Sequence, residues 1–351
     1  MNKVRLSDIA AAAGVSKVTA SKVLNPSSGN NTKVSAATRE RILNVASRLG
    51  YRVNIAASLL AGGRSRLLGV LIDAHTSPTE FQRVAYAEEA AGALGYRFMV
   101  GQCKADMENI RAYIDDFSGR GIDGVIIHSN SFPDMNREIV EYSKRIPHVL
   151  FYDCPLCDDG SCSYVNIDLA AGTRAVVDHL AAQGRRRIAC FAPYERFRHG
   201  KYPSFLARER GYAEGMKAHG LAFDPAFAER YVFERRLPVP ELIGLAKRFI
   251  REEKPDAILA RNDDVAAVVL RAMLEMGMRC PDDIAVAGYD NVAFCQYLYP
   301  SLTTVDDRLA AVSEEAVRIL AARIEDGGGE PVRRTFTPEL VVRESTAGRR
   351  D

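Results

Sequence analysis

The sequence predicts two unlike parts: a small N-terminal all-α domain with helix-turn-helix spacing, then an α/β body with two lobes of parallel sheet. Three observations carry this. Residues 5–50 place apolar side chains and capping residues at helical intervals. From Leu67 onward, short apolar runs alternate with amphipathic helical stretches, the pattern of parallel sheets buried on both faces. The charge divides at the same place. Of 351 residues, 1–66 hold eleven basic side chains against two acidic ones, a surplus of +9; the other 36 basic and 43 acidic residues give −7. A basic head on an acidic body implies that one part meets a polyanion and the other does a different job.

Taken in order, Leu6, Ile9 and Ala10 form the apolar stripe of a first helix, with Ser7 as its expected N-cap and Gly14-Val15 as its end. Ser16 is placed to cap a second helix running from Lys17 to about Asn25. Pro26 to Asn31 has loop composition. Ser35 is placed to cap a third helix, whose Ile42, Val45, Ala46 and Leu49 share a face and which Gly50 ends. A tight turn containing glycine between two helices, braced by a third, is helix-turn-helix arithmetic. Asn54 to Ala61 can form a short helix with little to pack against, and Gly62-Gly63 with two arginines then reads as a hinge.

Beyond the hinge the expected strands are Leu67–Ile72, Arg97–Val100, Val125–Ile127, Val149–Tyr152, Ile188–Phe191, Ala257–Ala260 and Ile284–Ala287. Helical patterns between them include Phe81–Leu94, Ile110–Arg120, Ala171–Ala182, Leu206–His219, Leu242–Glu252 and Val265–Met276. Some 280 residues of this exceed one ordinary domain, hence two lobes. The expected division is 1–53 for the DNA-binding domain, 54–66 for the hinge and 67–351 for the core.

Composition narrows the class. At 47% hydrophobic and 26% charged, the chain is globular. No apolar run approaches the roughly 18 residues of a membrane span. Ile9–Val15, flanked by Asp8 and Lys17, does not develop into a signal peptide. A cytoplasmic protein is expected. Its seven cysteines are an odd number, and reduced thiols are expected in that compartment. Cys154, Cys157 and Cys162 read either as a zinc site without an evident fourth ligand or as a surface turn around Pro155. No G-x-G-x-x-G follows a strand, and neither a P-loop nor a G-x-S-x-G is present. Gly327–Gly329 reads as a turn, and the six histidines have no metal spacing. No enzyme activity, cofactor or metal is expected.

The second helix carries the chemistry of the head. With Val15, Ala20, Val23 and Leu24 turned to the neighbouring helices, its outer side holds hydroxyls and ammonium groups for phosphates and guanine edges. Val18 there suits a thymine methyl. Ser16, Lys17, Val18, Thr19, Ser21, Lys22 and Asn25 are the candidate DNA contacts; the bland alternative is a solvated helix face.

Leu6-Ser-Asp-Ile-Ala, Ala13-Gly-Val-Ser-Lys-Val-Thr-Ala-Ser-Lys-Val-Leu-Asn25, Thr38-Arg-Glu-Arg-Ile42, Leu49-Gly-Tyr51 and Asn54 resemble the headpiece of the LacI/GalR repressor family. The likeness continues through Leu68-Gly-Val-Leu-Ile72, Gly121-Ile-Asp-Gly-Val-Ile126, Asn262-Asp263, Gly288-Tyr-Asp-Asn291, Ser301-Leu-Thr-Thr-Val305 and Leu340-Val-Val-Arg-Glu-Ser-Thr346. The resemblance implies a homodimer on a near-palindromic double-stranded operator. It implies hinge helices in the minor groove, where the leucine matching Leu60 wedges between base pairs, and a DNA contact from Asn54. It also implies a periplasmic-binding-protein-like core that holds a small, carbohydrate-like effector. The positions matching the family's effector contacts are Asp73, His128, Asp153, Ser204, Arg208, Asn262 and Asp290. For Asp290 and Arg208 the competing reading is a surface ion pair. A hinge arginine common in the family is missing beside Ala57 and Ser58. The frequent Asn-Pro-Phe-Phe after the first strand is replaced by Ser77-Pro-Thr-Glu-Phe81, leaving the aromatic wall incomplete. The basic, aromatic Tyr194–Tyr202 segment reads as a solvated loop or as a greeting for an acidic effector. A solute-binding transport component with the same core is the alternative function; the basic head and the missing signal peptide oppose it.

Overall fold

The computed structural model describes the chain except for residues 1–3, 25–33, 52–62, 74–78, 104–105, 130–135, 153–160, 196–202, 224–231, 234–236 and 348–351. Asn25, Asn54, Leu60 and Asp153 therefore lie outside the described residues, as do the 26–31 loop and most of the hinge.

Three helices open the chain: α1 (Leu6–Ala12), α2 (Lys17–Leu24) and α3 (Ala36–Arg48). Ser16 Oγ accepts from the Thr19 amide at 3.0 Å and Ser35 Oγ from the Thr38 amide at 3.2 Å, so both caps form. Ser7 does not cap α1. The helix begins one residue before it, and the Asp8 carboxylate accepts from the Arg5 amide at 2.8 Å instead. Both α1 and α3 end in the same way. Gly14 and Gly50 sit at φ +63, which lets the amides of Val15 and Tyr51 turn back to the carbonyls of Ala10 and Ala46. Ile9, Ala13, Val23, Ile42, Val45 and Ala46 close the core between the helices. Leu49 departs from the expected face: it follows the last helical residue and is exposed.

The body holds two main sheets. The first has the order β12-β5-β4-β3-β1-β2, from β1 (Leu67–Ile72), β2 (Arg97–Gln102), β3 (Gly124–His128), β4 (Val149–Tyr152), β5 (Ser163–Ile167) and β12 (Arg333–Phe336). The second has the order β13-β11-β10-β9-β6, from β6 (Ile188–Phe191), β9 (Ala257–Ala260), β10 (Ala285–Tyr289), β11 (Thr303–Asp306) and β13 (Glu339–Val341). A small pair joins β7 (Tyr194–Glu195) to β8 (Val232–Phe233). All pairings are parallel except β13 on β11.

Helices α4 (Thr79–Ala93), α5 (Met107–Gly119), α6 (Asn136–Ser143) and α11 (Leu309–Glu325) serve the first sheet, and α11 packs along α4. Helices α7 (Leu169–Ala182), α8 (Pro203–Ala218), α9 (Val239–Glu253) and α10 (Asp263–Glu275) serve the second. Gly211 lets α8 lie against α7, since a methyl group there would run into the Ala170 carbonyl. The chain passes between lobes after β5, after β11 and between β12 and β13, so each lobe is assembled from separated stretches of sequence. In the first sheet β1 lies between β2 and β3, where the winding direction reverses. The carboxyl ends of strands at such a reversal are where open α/β sheets bind ligands. Among the described residues no helix is long and apolar enough to cross a membrane.

Candidate nucleic-acid interface and effector cleft

The outer side of α2 is set by what its inner side must bury. Ala20 and Val23 are buried, while Val15 and Leu24 are half-buried against the same core. Ser16, Lys17 and Val18 are left exposed, and Thr19, Ser21 and Lys22 half-buried. Val18 is 63% exposed, although its side chain would gain by leaving water. The hydroxyls of Ser16 and Thr19 lie 2.8 Å apart at the start of the helix, beside backbone amides that favour an anion.

The basic surplus of the head is smaller than its residue count. Arg64 donates to the carbonyls of Ile324 and Glu325 at 2.8 and 3.2 Å and pairs with the Glu325 carboxylate. Arg66 pairs with the same carboxylate at 3.0 Å. Both arginines face the body, so the charge offered to phosphates comes from residues before them.

One wall of the cleft stands on the carboxyl ends of β1, β3 and β4. Asp73 follows β1, is nearly buried, and accepts from Gln102 Nε2 at 3.4 Å. His128 ends β3, is 2% exposed, and packs edge-on against the Tyr152 ring with centroids 4.6 Å apart. Its Nδ1 is hydrogen-bonded to the Glu80 carboxylate from the first turn of α4. Arg83, one turn later, lies over the Tyr152 ring at 5.5 Å. Burial works against the Glu80 carboxylate, but His128 and Arg83 outweigh it and hold the group below its ordinary pKa.

The other wall belongs to the second sheet. Arg208, on α8, donates to the Arg261 carbonyl at 2.7 Å and to Asp290 Oδ1 at 3.4 Å, and its guanidinium stacks 3.7 Å from the centre of the Tyr289 ring. Its Nε is buried with no partner. Asp290 follows β10 with φ 108, a left-handed backbone rare outside glycine. Burial pushes its carboxyl up to about 6, aided by Asp263 and opposed by Arg208, Arg261 and Arg83. Arg83 thus acts on acids of both walls, Glu80 and Asp290.

The candidate effector residues fall into three sets. Arg208 and Asp290 meet as a mostly buried pair and not as a surface one. Asp73 and His128 stand at the ends of neighbouring strands of one wall. Asn262 is committed at one atom, since its Oδ1 caps α10 by accepting from the Val265 amide at 3.0 Å. Ser204 lies half-buried in the first turn of α8.

Glu80, Arg83 and Asp263 are charged groups of this region that the sequence reading did not select. Asp263 is buried, accepts from Thr304 Oγ1 at 2.6 Å and from the Val292 amide at 2.9 Å, and so braces the Asp290 loop. Glu80 falls in the stretch that departs from Asn-Pro-Phe-Phe, and that departure was the available signal. Phe81 beside it is 62% exposed and supplies no wall.

Cysteine chemistry also departs from expectation. Cys103, Cys190, Cys280 and Cys295 are free, but Cys162 is disulfide-bonded.

The profile "Bacterial regulatory proteins, lacI family" matches residues 5–54, and the profile "Periplasmic binding protein-like domain" matches residues 177–346. The transcriptional regulator DegA of Bacillus subtilis is 28% identical over 98% of each chain. Among solved structures, a transcriptional regulator CelR–cellobiose complex superposes with a TM-score of 0.68 at 26% identity, covering 98% of this chain and 100% of that one. The Lac repressor bound to ONPG in its repressed state gives 0.78 at 25%, with the same coverage.

Proposed function

We propose that this chain, which belongs to the LacI family of bacterial transcriptional regulators, is a homodimeric repressor whose hold on DNA is set by a carbohydrate bound between its lobes. The observation that carries the effector half is the pair of facing polar walls. Glu80–His128 with Arg83 and Asp73 stands on one sheet, and Arg208–Asp290 on the other. Buried ion pairs contribute little to stability for the desolvation they cost. Concentrated where strand ends meet, they offer fixed donors and acceptors to the ring hydroxyls of a sugar. The cellobiose held by the similar CelR supports this ligand class.

Lobe closure on the sugar would move the linker that leads to residues 1–53, and operator affinity changes only as far as the sugar prefers one lobe arrangement. Ser16, Lys17, Val18, Thr19, Ser21, Lys22 and Asn25 meet the major groove, Asn54 also contacts DNA, and Leu60 enters the minor groove. A homodimer matches the two halves of a near-palindromic operator.

The test is selection of an operator from a random duplex pool, followed by Leu60→Ala. The variant should lose affinity for the selected duplex and keep its affinity for random DNA. Equal losses on both would refute the hinge contact.

A further inference from the structure

The segment just before β1 is held by a polar cluster that no role assigned so far requires. Ser65 donates to Asp123 Oδ1 from its amide at 2.9 Å and from its hydroxyl at 3.0 Å, and the Arg66 amide donates to Asp123 Oδ2 at 2.9 Å. The Arg64 and Arg66 guanidinium groups converge on Glu325, the last residue of α11. Arg64 also meets two carbonyls at that helix end, where a cation satisfies orphan acceptors and the negative pole of the helix together. Buried Tyr96 donates from its hydroxyl to Glu325 Oε1 at 3.3 Å, and Arg66 lies 5.0 Å over the Tyr96 ring. Arg66 has φ 56, so a strained backbone is fixed at the same point.

Two helices end at this cluster and begin at the cleft. The first turns of α4 carry Glu80 and Arg83, and Tyr96 follows its end. Helix α11 follows Asp306, which accepts from Asn291 Nδ2 at 2.9 Å beside Asp290, and Asp307, whose charge acts on Arg208 and Tyr289. Its 17 residues span about 25 Å at 1.5 Å per residue. Packed along one another, α4 and α11 are rigid elements with one end in each place.

We propose that Glu325 is a positioning residue, the clamp through which α4 and α11 transmit the state of the cleft to the linker and so to the DNA-binding head. The proposal rests on the repressor reading above. Each contact is partly exposed and modest by itself; their convergence on one carboxylate makes that carboxylate the point of control. In the clamped arrangement the linker has one direction out of the body, and both headpieces of a dimer can meet an operator at once.

The experiment uses the full-length chain and a duplex enriched from a random pool by the wild type. Affinities for that duplex and for an unselected duplex are measured for wild type, Glu325→Gln and Glu325→Asp, with thermal midpoints recorded alongside. Glu325→Gln should weaken the enriched duplex by roughly fivefold to tenfold, at the low end of the usual range of coupling between sites. Binding to unselected DNA and the thermal midpoint should not move, and Glu325→Asp should fall between the two. An unchanged affinity for the enriched duplex overturns the clamp, and so does an equal loss on both duplexes. A wild type that enriches no duplex overturns the repressor reading itself.

Discussion

The head and the cleft solve opposite problems with similar residues. In the head, Ser16, Lys17 and Val18 stand in solvent, and the helix that carries them is fixed by buried Ala20 and Val23, half-buried Val15 and Leu24, and the Ser16 cap. In the cleft, Arg208, Asp290, Glu80 and His128 are withdrawn from water and hold one another in place. A surface that meets DNA can leave its charges hydrated until the polyanion arrives. A pocket that grips a small neutral polyol must have its dipoles aimed beforehand, and it carries the cost of burying them. Apart from Ser16, whose hydroxyl caps its helix, the head should therefore tolerate loss of its functional groups without losing stability, whereas substitutions in the cleft should change stability and function together.

The largest effect that would sharpen this contrast is at Arg208. Arg208→Ala leaves Asp290 without its nearest cation, and should destabilise the body by about 3 kcal/mol at pH 8. The loss should shrink at pH 5, where Asp290 can take up a proton. Chemical denaturation at the two pH values measures both.

Asp290→Asn probes the same pair from its acidic side, through its pH dependence. The folded-state pKa is raised, to about 6 from 3.8, so the group's favourable contribution is complete below pH 3.8 and is lost as pH rises through 6. Above that, the fold holds a carboxylate it would rather protonate. Relative to wild type, the variant should therefore be more stable at pH 8 than at pH 4, set against the cost of leaving the Arg208 guanidinium buried beside a neutral amide. It should also abolish the response to the effector. A difference from wild type that is the same at both pH values would break the contrast.

The smallest effect lies in the head. Lys17→Ala should leave the thermal midpoint unchanged and reduce the slope of log affinity against log salt by about one. Arg66→Ala, whose guanidinium already faces Glu325, should leave that slope unchanged. Equal changes in slope would show that Arg66 reaches phosphate, and would remove this distinction between linker and head.

Legibility followed the same division. The head is contiguous in sequence, so periodicity, Ser16, Ser35 and the two glycines placed its helices to within about a residue. Strands such as Leu67–Ile72 and Ala257–Ala260 are unbroken apolar runs and read directly. Six strands do not, and two of these, β7 and β8, are only two residues long. β5 and β11 interleave polar residues, and Thr303 and Thr304 of β11 are buried only because Ser345, Thr346 and Asp263 satisfy them. β12 begins with two exposed arginines at a sheet edge, and β13 is three residues long.

The cleft was visible only in part. Arg208 and Asp290 lie 82 positions apart, yet both were selected through the family resemblance. Glu80 was not, because a carboxylate on the inner side of α4 has no pattern until β3 brings His128 to it.

The central claim, that the cleft governs the head, is tested most directly by one titration. Full-length protein on an enriched duplex is exposed to a panel of mono- and disaccharides, and duplex affinity and thermal midpoint are read together. At least one sugar should raise the midpoint and shift duplex affinity by fivefold or more, and Asp290→Asn should lose both responses. A sugar that stabilises the wild-type chain while leaving duplex affinity unchanged would contradict it.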